Sequence, residues 1–168
     1  MSATRKSRAC HRRISDQEVI DRFTWEIVSI NFHLVKLRQF WAKALNISGP
    51  QWMILLAVSD LDKGDGVPVN AVSKMLQVDS SFVTTQSKRL ENSGLLRRDA
   101  SPTDARVVRM SLTDKCHEQL SRLAARQQAV GEFTFEEFSS DELAEFSEKL
   151  SKLKSRMGKA CLKLTLDF

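Results

Sequence analysis

The sequence has few residues that end or bend regular structure, with only six glycines and three prolines in 168 residues. This scarcity favours helices over an all-β architecture, whose many turns draw on both residue types. Cysteine is also rare. Cys10, Cys116 and Cys161 are odd in number and far apart, so no disulfide framework is indicated and a reducing compartment is expected.

Long apolar segments are missing as well. The longest unbroken apolar run covers residues 52–58, whereas a helix that crosses a membrane needs about 20 residues. The N-terminus is basic but lacks the apolar stretch of a secretory signal. We therefore expect a cytoplasmic protein with no membrane partner.

The sequence also offers little for catalysis or metal binding. It has three histidines, and the pairs Cys10-His11 and Cys116-His117 are direct neighbours. Adjacent side chains on a helix diverge by about 100°, which is a poor geometry for zinc. No Cys-x-x-Cys spacing, phosphate-cradling glycine motif or serine–histidine–aspartate set is suggested. The prediction is no enzyme, no metal and no cofactor.

Charge is distributed unevenly along the chain. Five cations precede the first acid, Asp16, and without them the 21 remaining basic residues balance 21 acids. Residues 132–148 contain seven acids and no Lys or Arg, whereas residues 88–109 contain six basic residues and three acids. The second segment suits a polyanion. Residues 1–14 are predicted to be a disordered basic arm.

Apolar residues recur at alternating intervals of three and four near both ends of the chain, which is typical of helices with one apolar seam. We predict that residues 15–48 and 114–168 form a helical dimerisation lobe, in which a symmetric partner covers both seams. The predicted interface residues are Ile20, Phe23, Ile27, Leu150, Leu153 and Met157.

The segment between the two seams, residues 49–113, predicts a winged helix-turn-helix DNA-binding lobe. Gly49-Pro50 ends the first helix, and Gly94 supplies the left-handed residue that ends a later one. The predicted elements are helix 50–61, a short edge strand at 67–69, helix 71–77, helix 80–93, and strands 95–100 and 106–112. The fold class is thus mainly α with a small β-hairpin.

Helix 80–93 has an inner face of Val83, Ser87 and Leu90 and an outer face of hydroxyl, amide and basic groups. Such groups can bind base edges and phosphates, although an isolated helix with this pattern is more often an ordinary solvated surface. The hairpin that follows favours the DNA-reading interpretation. The predicted DNA contacts are Ser80, Ser81, Thr84, Thr85, Gln86, Lys88, Arg89, Arg97, Arg98, Asp104 and Arg106.

The hairpin tip contains a cation and an acid. Arg106 can enter a narrow minor groove, where the negative potential is high. Asp104 would repel phosphate, so we expect it to pair with a nearby arginine and hold the tip in shape. Arg109 lies on the second strand and is a further candidate for phosphate contact.

Four separate stretches of this region resemble the multiple antibiotic resistance regulator (MarR) family of winged-helix transcription factors. They are Ser81-Phe82-Val83-Thr84, Arg89-Leu90-Glu91-Asn92-Ser93-Gly94-Leu95-Leu96, Asp104-Ala105-Arg106 and Ser111-Leu112-Thr113. The resemblance implies a homodimer that reads a pseudo-palindrome with two recognition helices about one DNA turn apart. Thr85 stands where many members carry arginine, so the family's base preference does not transfer.

Many members of that family release DNA when a small molecule, often an aromatic carboxylate or its coenzyme A thioester, fills a cavity between the lobes. The resemblance implies a ligand site at Phe32, His33, Leu37, Arg38, Phe40, Trp41, Trp52 and Leu56. Aromatic residues at helical spacing are also the usual content of a core. Some relatives sense oxidants through a cysteine, but Cys10 lies ahead of the corresponding place.

The leading hypothesis is a homodimeric transcriptional regulator, expected to be a repressor, that binds a duplex operator and is released by a small aromatic acid or its thioester. One alternative is a constitutive DNA-binding winged-helix protein without an effector. Another is a winged-helix module that binds protein.

Overall fold

The computed structural model describes the backbone of residues 3–166 and the side chains of residues 16–165. The elements are α1 (Ala3–Ala44), α2 (Gly49–Leu61), β1 (Val67–Pro68), α3 (Val69–Leu76), α4 (Ser80–Asn92), β2 (Leu96–Ala100), β3 (Val108–Leu112), α5 (Asp114–Phe135) and α6 (Ser140–Leu166). The predicted fold class, mainly α with a small β-hairpin, is confirmed. The short strand β1 adds an edge to that hairpin.

The chain divides into two compact units, residues 1–122 and 123–168. The first unit has a core in which α2, α3 and α4 pack on the sheet. Its fully buried side chains include Ile54, Leu55, Leu90 and Met110. The second unit consists of the end of α5 and all of α6, and the apolar side chains of α6 are exposed or half-buried.

The sheet is antiparallel and has the strand order β1-β3-β2. Leu96 pairs with Leu112 and Ala100 with Val108, so β2 and β3 form a hairpin joined by residues 101–107. Val67 pairs with Met110, which places β1 on the other side of β3. Met110 is completely buried, and the sheet thereby closes one side of the core.

Local sequence signals account for most of the helix ends. Ser48 and Gln51 form a capping box at the start of α2, where Pro50 occupies the first turn. Gly94 adopts a φ of 71° directly after α4, which a residue with a Cβ atom rarely does. Thr113 caps the start of α5, where the Cys116 NH donates to Thr113 Oγ1 at 3.2 Å.

Several element boundaries differ from the sequence prediction. The backbone of α1 is helical from Ala3, whereas the first helix was predicted from residue 15; the disordered basic arm at residues 1–14 stays a prediction. α3 begins at Val69, directly after Pro68 and two residues before the predicted start, so Asn70 lies inside its first turn. β3 begins at Val108, because the Val107 NH is held by the Asp104 carbonyl at 2.9 Å within the loop.

Candidate nucleic-acid interface

The pair α3–α4 is held by a tight turn with a left-handed residue. Gln77 has a φ of 55° and a ψ of 45°, and the Val78 NH donates to the Ser73 carbonyl at 3.1 Å. Val72 on α3 and Val83 on α4 are both completely buried in the shared core. This packing fixes the second helix against the first, which is the arrangement of a helix-turn-helix.

α4 has one buried face and one open face. Val83, Ser87 and Leu90 are completely buried, as their spacing predicted. The Ser87 hydroxyl donates to the Thr84 carbonyl at 3.1 Å, so the polar group in the core is satisfied. The predicted contacts on α4 are exposed at Ser80, Ser81, Thr85, Lys88 and Arg89 and half-buried at Thr84 and Gln86.

Two hydroxyls on the open face are already engaged. The Thr85 hydroxyl donates to the Ser81 carbonyl at 3.0 Å. Ser80 Oγ lies 2.9 Å from Ser73 Oγ, and the Ser73 hydroxyl is within 3.0 Å of the Asn70 carbonyl, which it can donate to. The open groups of this face are therefore mainly the side chains of Thr84, Gln86, Lys88 and Arg89.

Phe82 is a member of this region that sequence reasoning did not select. Its side chain is 39% exposed, beside Val78 at 38%, although both are apolar. The signal was present, because residues 78 and 82 are four apart and flank the start of α4 on the side away from the core. Phe82 and Val78 thus add a small apolar surface beside the polar face of α4.

The hairpin tip is shaped by Asp104. Its carboxylate accepts a hydrogen bond from the Arg106 backbone NH at 3.0 Å, and the Ser101 NH donates to the Val107 carbonyl at 2.8 Å. The expected role in holding the tip is thus met through a backbone NH and not through an arginine side chain. The Arg106 side chain remains exposed at the tip.

The three arginines on the strands have different partners. Arg97 is exposed and donates to Asp99 at 2.7 Å. Arg98 is mostly buried, with Nη1 3.6 Å from the Glu91 carboxylate. Arg109 donates to the Asp65 and Gly66 carbonyls at 2.6 and 2.8 Å, so its guanidinium is occupied in tying the α2–β1 loop to the sheet.

The C-terminal end of α4 is tied to the start of α5. Lys115 Nζ donates to the Ser93 carbonyl and the Thr113 hydroxyl to the Gly94 carbonyl, both at 2.8 Å. A cation at this end also complements the negative end of the helix dipole. The recognition helix is thereby fixed at its C-terminus as well as along its buried face.

The residues predicted as a ligand site differ in burial, and their role stays a prediction. Trp41 and Trp52 are buried. Leu37 is half-buried, and Phe32, His33, Phe40 and Leu56 are exposed. Arg38 instead lines a cavity of about 220 Å³ with Pro50, Met53, Leu76, Val78 and Phe82. This cavity combines one cation with apolar walls and adjoins both the helix-turn-helix turn and α4.

The predicted interface residues lie on surfaces of the two terminal helices. On α1, Ile20 and Phe23 are more than half exposed and Ile27 is half-buried. On α6, Leu150 and Met157 are at least half exposed and Leu153 is half-buried. Each helix thus presents an apolar seam to its surroundings.

Neither a metal centre nor a membrane span is found in the part of the chain that the structure describes. No group of three or more His, Cys, Asp or Glu side chains there is placed to hold a metal ion. No helix within the same residues is long and apolar enough to cross a bilayer.

The sequence profile of the MarR family matches residues 47–108, which contain α2, β1, α3, α4 and β2 and end at the first residue of β3. The organic hydroperoxide resistance transcriptional regulator of Bacillus subtilis (strain 168) is 37% identical over 70 residues, which cover 42% of this chain and 46% of that protein. The HTH-type transcriptional repressor MdtR of the same strain is 29% identical over 76 residues, which cover 45% and 49%. The chain thus spans about half the length of these two relatives.

A longer match joins the chain to the HTH-type transcriptional regulator MgrA of Staphylococcus aureus. It is 30% identical over 111 residues, which cover 66% of this chain and 72% of that protein. All three relatives are named as transcriptional regulators, so the prediction that the chain is not an enzyme is confirmed.

Solved structures show the same fold at lower identity. A MarR/EmrR family regulator from Acinetobacter sp. ADP1 superposes with a TM-score of 0.68 at 21% identity, covering 83% of this chain and 98% of that one. The S. aureus MepR protein, in its complex with DNA, gives 0.67 at 18% identity, covering 80% and 97%. With the winged helix-turn-helix in place and the extended match to MgrA, the chain belongs to the MarR family.

Proposed function

We propose that this protein is a homodimeric transcriptional regulator of the cytoplasm that binds duplex DNA through α4 and the β2–β3 hairpin. The observation that carries the proposal is one concave surface shared by both elements. Ser80 and Thr84 of α4 and Arg106 of the hairpin line the same cavity. The polar face of the recognition helix and the wing cation are therefore close enough to engage one duplex.

In this arrangement α4 lies in the major groove, where Gln86, Lys88 and Arg89 reach base edges and phosphates. Ser81 and Thr85 complete the same face. The exposed Arg106 side chain enters the adjacent minor groove, where a narrow groove attracts a cation. Asp104 contributes by fixing the backbone that presents Arg106. Arg97, which is paired with Asp99, contributes through its positive charge to the electrostatic potential near the phosphates.

The dimer is proposed to form through the exposed seams of α1 and α6. Charge supports an antiparallel α6 pair. Within α6, residues 140–148 carry four acids without Lys or Arg, whereas residues 149–163 carry six cations without Asp or Glu. Two antiparallel copies place the acidic part of each beside the basic part of the other, and opposite charges flanking an apolar seam set orientation in helix pairs. A symmetric dimer then reads a pseudo-palindromic operator.

We propose repression as the mode of action, supported by the relative that is named as a repressor. We further propose that a small aromatic acid or its coenzyme A thioester releases the DNA. The cavity beside Arg38 suits such a ligand, because the guanidinium can pair with the carboxylate of the acid or with a phosphate of the coenzyme, while Met53 and Phe82 contact a ring. A ligand in this cavity contacts Val78 and Phe82 and can thereby change the position of α4.

The DNA-binding proposal is tested with a duplex selected from a random pool. The logarithm of the affinity should fall linearly with the logarithm of salt concentration, with a slope of about −0.9 for each phosphate neutralised. Arg106→Ala should weaken binding by about 1–3 kcal/mol. Arg122→Ala removes an exposed cation that pairs with Glu118 on α5 and serves as the control. A flat salt response would favour a protein-binding module, whereas equal affinity for Arg106→Ala and wild type would contradict the role of the hairpin tip in DNA binding.

The effector proposal is tested by thermal shift with a panel of aromatic acids and their thioesters. A true effector should raise the melting temperature and weaken DNA binding, and Arg38→Met should remove both effects because the ligand carboxylate loses its partner. If no compound stabilises the protein, the constitutive alternative is favoured.

A further inference from the structure

Arg98 on β2 is a buried cation with an unsatisfied donor. Its side chain is only 10% exposed, and its Nε has no hydrogen-bond partner in the structure. Nη1 lies 3.6 Å from Glu91, which is an ion pair without a direct hydrogen bond. Leaving a charged donor unpaired out of water is costly, so such a group in a folded protein calls for a partner.

Arg98 faces a cavity of about 320 Å³ where the beginning of α4 meets the base of the hairpin. Asn70, Ser80, Thr84 and Arg106 are the other polar residues that line it, together with valines. None of its lining residues in the described part of the chain is acidic. Two guanidinium groups therefore converge on one concave space, and Glu91 offsets only part of their charge.

The N-terminus of α4 adds donors to the same space. Asp79 is the N-cap residue, but its side chain makes no capping hydrogen bond. By contrast, α2 and α6 begin with serine capping boxes and α5 with the Thr113 cap. The first NH groups of α4 are thus free of a side-chain acceptor, and the positive end of its dipole is open to an anion.

The hydroxyls in the cavity have different capacities. If the Ser73 hydroxyl donates to Asn70, then Ser80 must donate to Ser73, and the Ser80 proton is already used. The Thr84 hydroxyl makes no hydrogen bond with any described residue and can donate into the cavity. The available donors are therefore the guanidinium groups of Arg98 and Arg106, the Thr84 hydroxyl and the first NH groups of α4.

We propose that this cavity binds one phosphate-type tetrahedral oxyanion, with Arg98 as its buried ligand. Donors converging from several directions suit a tetrahedral group, and charge-assisted bonds to guanidinium are the strongest available. The oxyanion is either a backbone phosphate of bound DNA or free phosphate. The first source rests on the proposed function and would make Arg98 the residue that sets the register of α4 on the duplex.

The DNA source is tested by replacing each phosphate of the selected duplex in turn with a neutral methylphosphonate. Wild type should lose affinity roughly tenfold at one phosphate in each half-site. Arg98→Gln should show no loss at that phosphate, and its salt slope should be shallower by about 0.9 for each contact removed. Arg122→Gln makes the same charge change on the exposed side of α5 and should retain both the sensitive phosphate and the slope.

Free phosphate is tested without DNA, by thermal shift with inorganic phosphate against chloride at matched ionic strength. Stabilisation of wild type but not of Arg98→Gln identifies a free-oxyanion site. Circular dichroism checks that Arg98→Gln is folded. If it is not, Arg98→Lys and Thr84→Val replace it, and each should reduce the sensitivity at the same phosphate.

The outcomes separate this inference from the proposed function. A wild-type protein that binds no duplex defeats the proposed function, while the phosphate titration still decides whether the cavity takes an oxyanion. A wild-type protein that binds DNA, with an Arg98→Gln variant of unchanged slope, unchanged methylphosphonate profile and unchanged response to phosphate, overturns the inference alone.

Discussion

The helix-turn-helix region and α6 use apolar residues in opposite ways. In the first, Ile54, Leu55 and Leu90 are completely buried within one protomer. Along α6, no described side chain is buried, and Phe146, Leu150 and Met157 are at least half exposed. Exposed apolar seams of this length mark a surface that another molecule covers. The core of the first region is thus complete within one protomer, whereas the α6 seam is the surface assigned to the proposed dimer.

The substitution with the largest expected effect tests whether the apolar seam of α6 is an interface. Leu150→Asp places a charge in the proposed seam, and a symmetric dimer loses two leucine contacts at once. Burying one leucine is worth about 1.5–3 kcal/mol, so the association free energy should weaken by roughly 3–6 kcal/mol. Sedimentation equilibrium should show a protomer at concentrations where wild type is dimeric.

Ser151→Asp is the matched control for that substitution. It adds the same charge one position along α6, where the wild-type side chain is polar and exposed. It should leave the dimer intact. An undissociated Leu150→Asp dimer, or equal dissociation of the two variants, would contradict the assignment of the seam to an interface.

The substitution with the second-largest expected effect tests the core of the helix-turn-helix region. Leu90→Ala removes a completely buried side chain from α4 and should lower the free energy of unfolding by about 2–5 kcal/mol, through lost burial and a cavity. Because the contact lies within one protomer, the loss should not depend on protein concentration in urea denaturation. Leu162→Ala, at a position 66% exposed, should cost much less at concentrations that favour the protomer.

The contrast between these two regions also explains which features could be predicted from the sequence. The inner face of α4, the glycine stop at Gly94 and the order of strands follow from local patterns, and the structure agrees with each. Periodicity identified the seams of α1 and α6 but contains no information on what covers them. The family resemblance also grouped Phe32 and Trp52, although one is exposed and the other buried, because burial depends on the packing of distant segments.

The same limit applies to the polar site. Arg97 and Arg98 are adjacent and chemically identical, and the sequence analysis predicted the same role, DNA contact, for both. The alternation of a strand separates them, so that Arg97 pairs with Asp99 in solvent while Arg98 turns to the cavity beside α4. The occupation of Arg109 by loop carbonyls more than 40 residues earlier was beyond any local pattern.

A smaller effect concerns the start of α6. Ser139 and Glu142 form a capping box, in which Ser139 NH and hydroxyl donate to the Glu142 carboxylate at 2.9 and 2.8 Å. Ser139→Ala should cost about 1 kcal/mol of stability through loss of the N-cap. Thermal melts of the variant and wild type measure this, and Ser147→Ala on the exposed surface of α6 is the control.

This capping effect should depend on pH. The hydrogen bonds from Ser139 lower the pKa of Glu142, so the stabilisation they give is present above the pKa of an unfolded glutamate. It is lost as pH falls through the lowered folded value. The difference between wild type and Ser139→Ala should therefore narrow in acid, and a difference that grew instead would contradict the capping assignment.

The smallest effect distinguishes the two regions by thiol chemistry. Cys116 is completely buried in the first unit, and burial raises the pKa of its thiol from 9.0 to about 11. The thiolate is the reactive form, so at pH 8 this shift alone lowers its population about 100-fold. Cys161 on α6 is exposed. Labelling with a thiol reagent, followed by peptide mass mapping, should modify Cys161 rapidly and Cys116 only on unfolding.

The raised pKa of Cys116 also sets a direction for stability. Between pH 9.0 and about 11 the folded state keeps a proton that the unfolded chain loses, so the free energy of unfolding should fall as pH rises through this range. Cys116→Ala should remove that part of the alkaline loss.

If dimerisation protects Cys161 as well, its labelling should slow with increasing protein concentration while that of Cys116 does not change. Fast labelling of Cys116 in the native protein would show that the core around α5 opens far more readily than its complete burial implies.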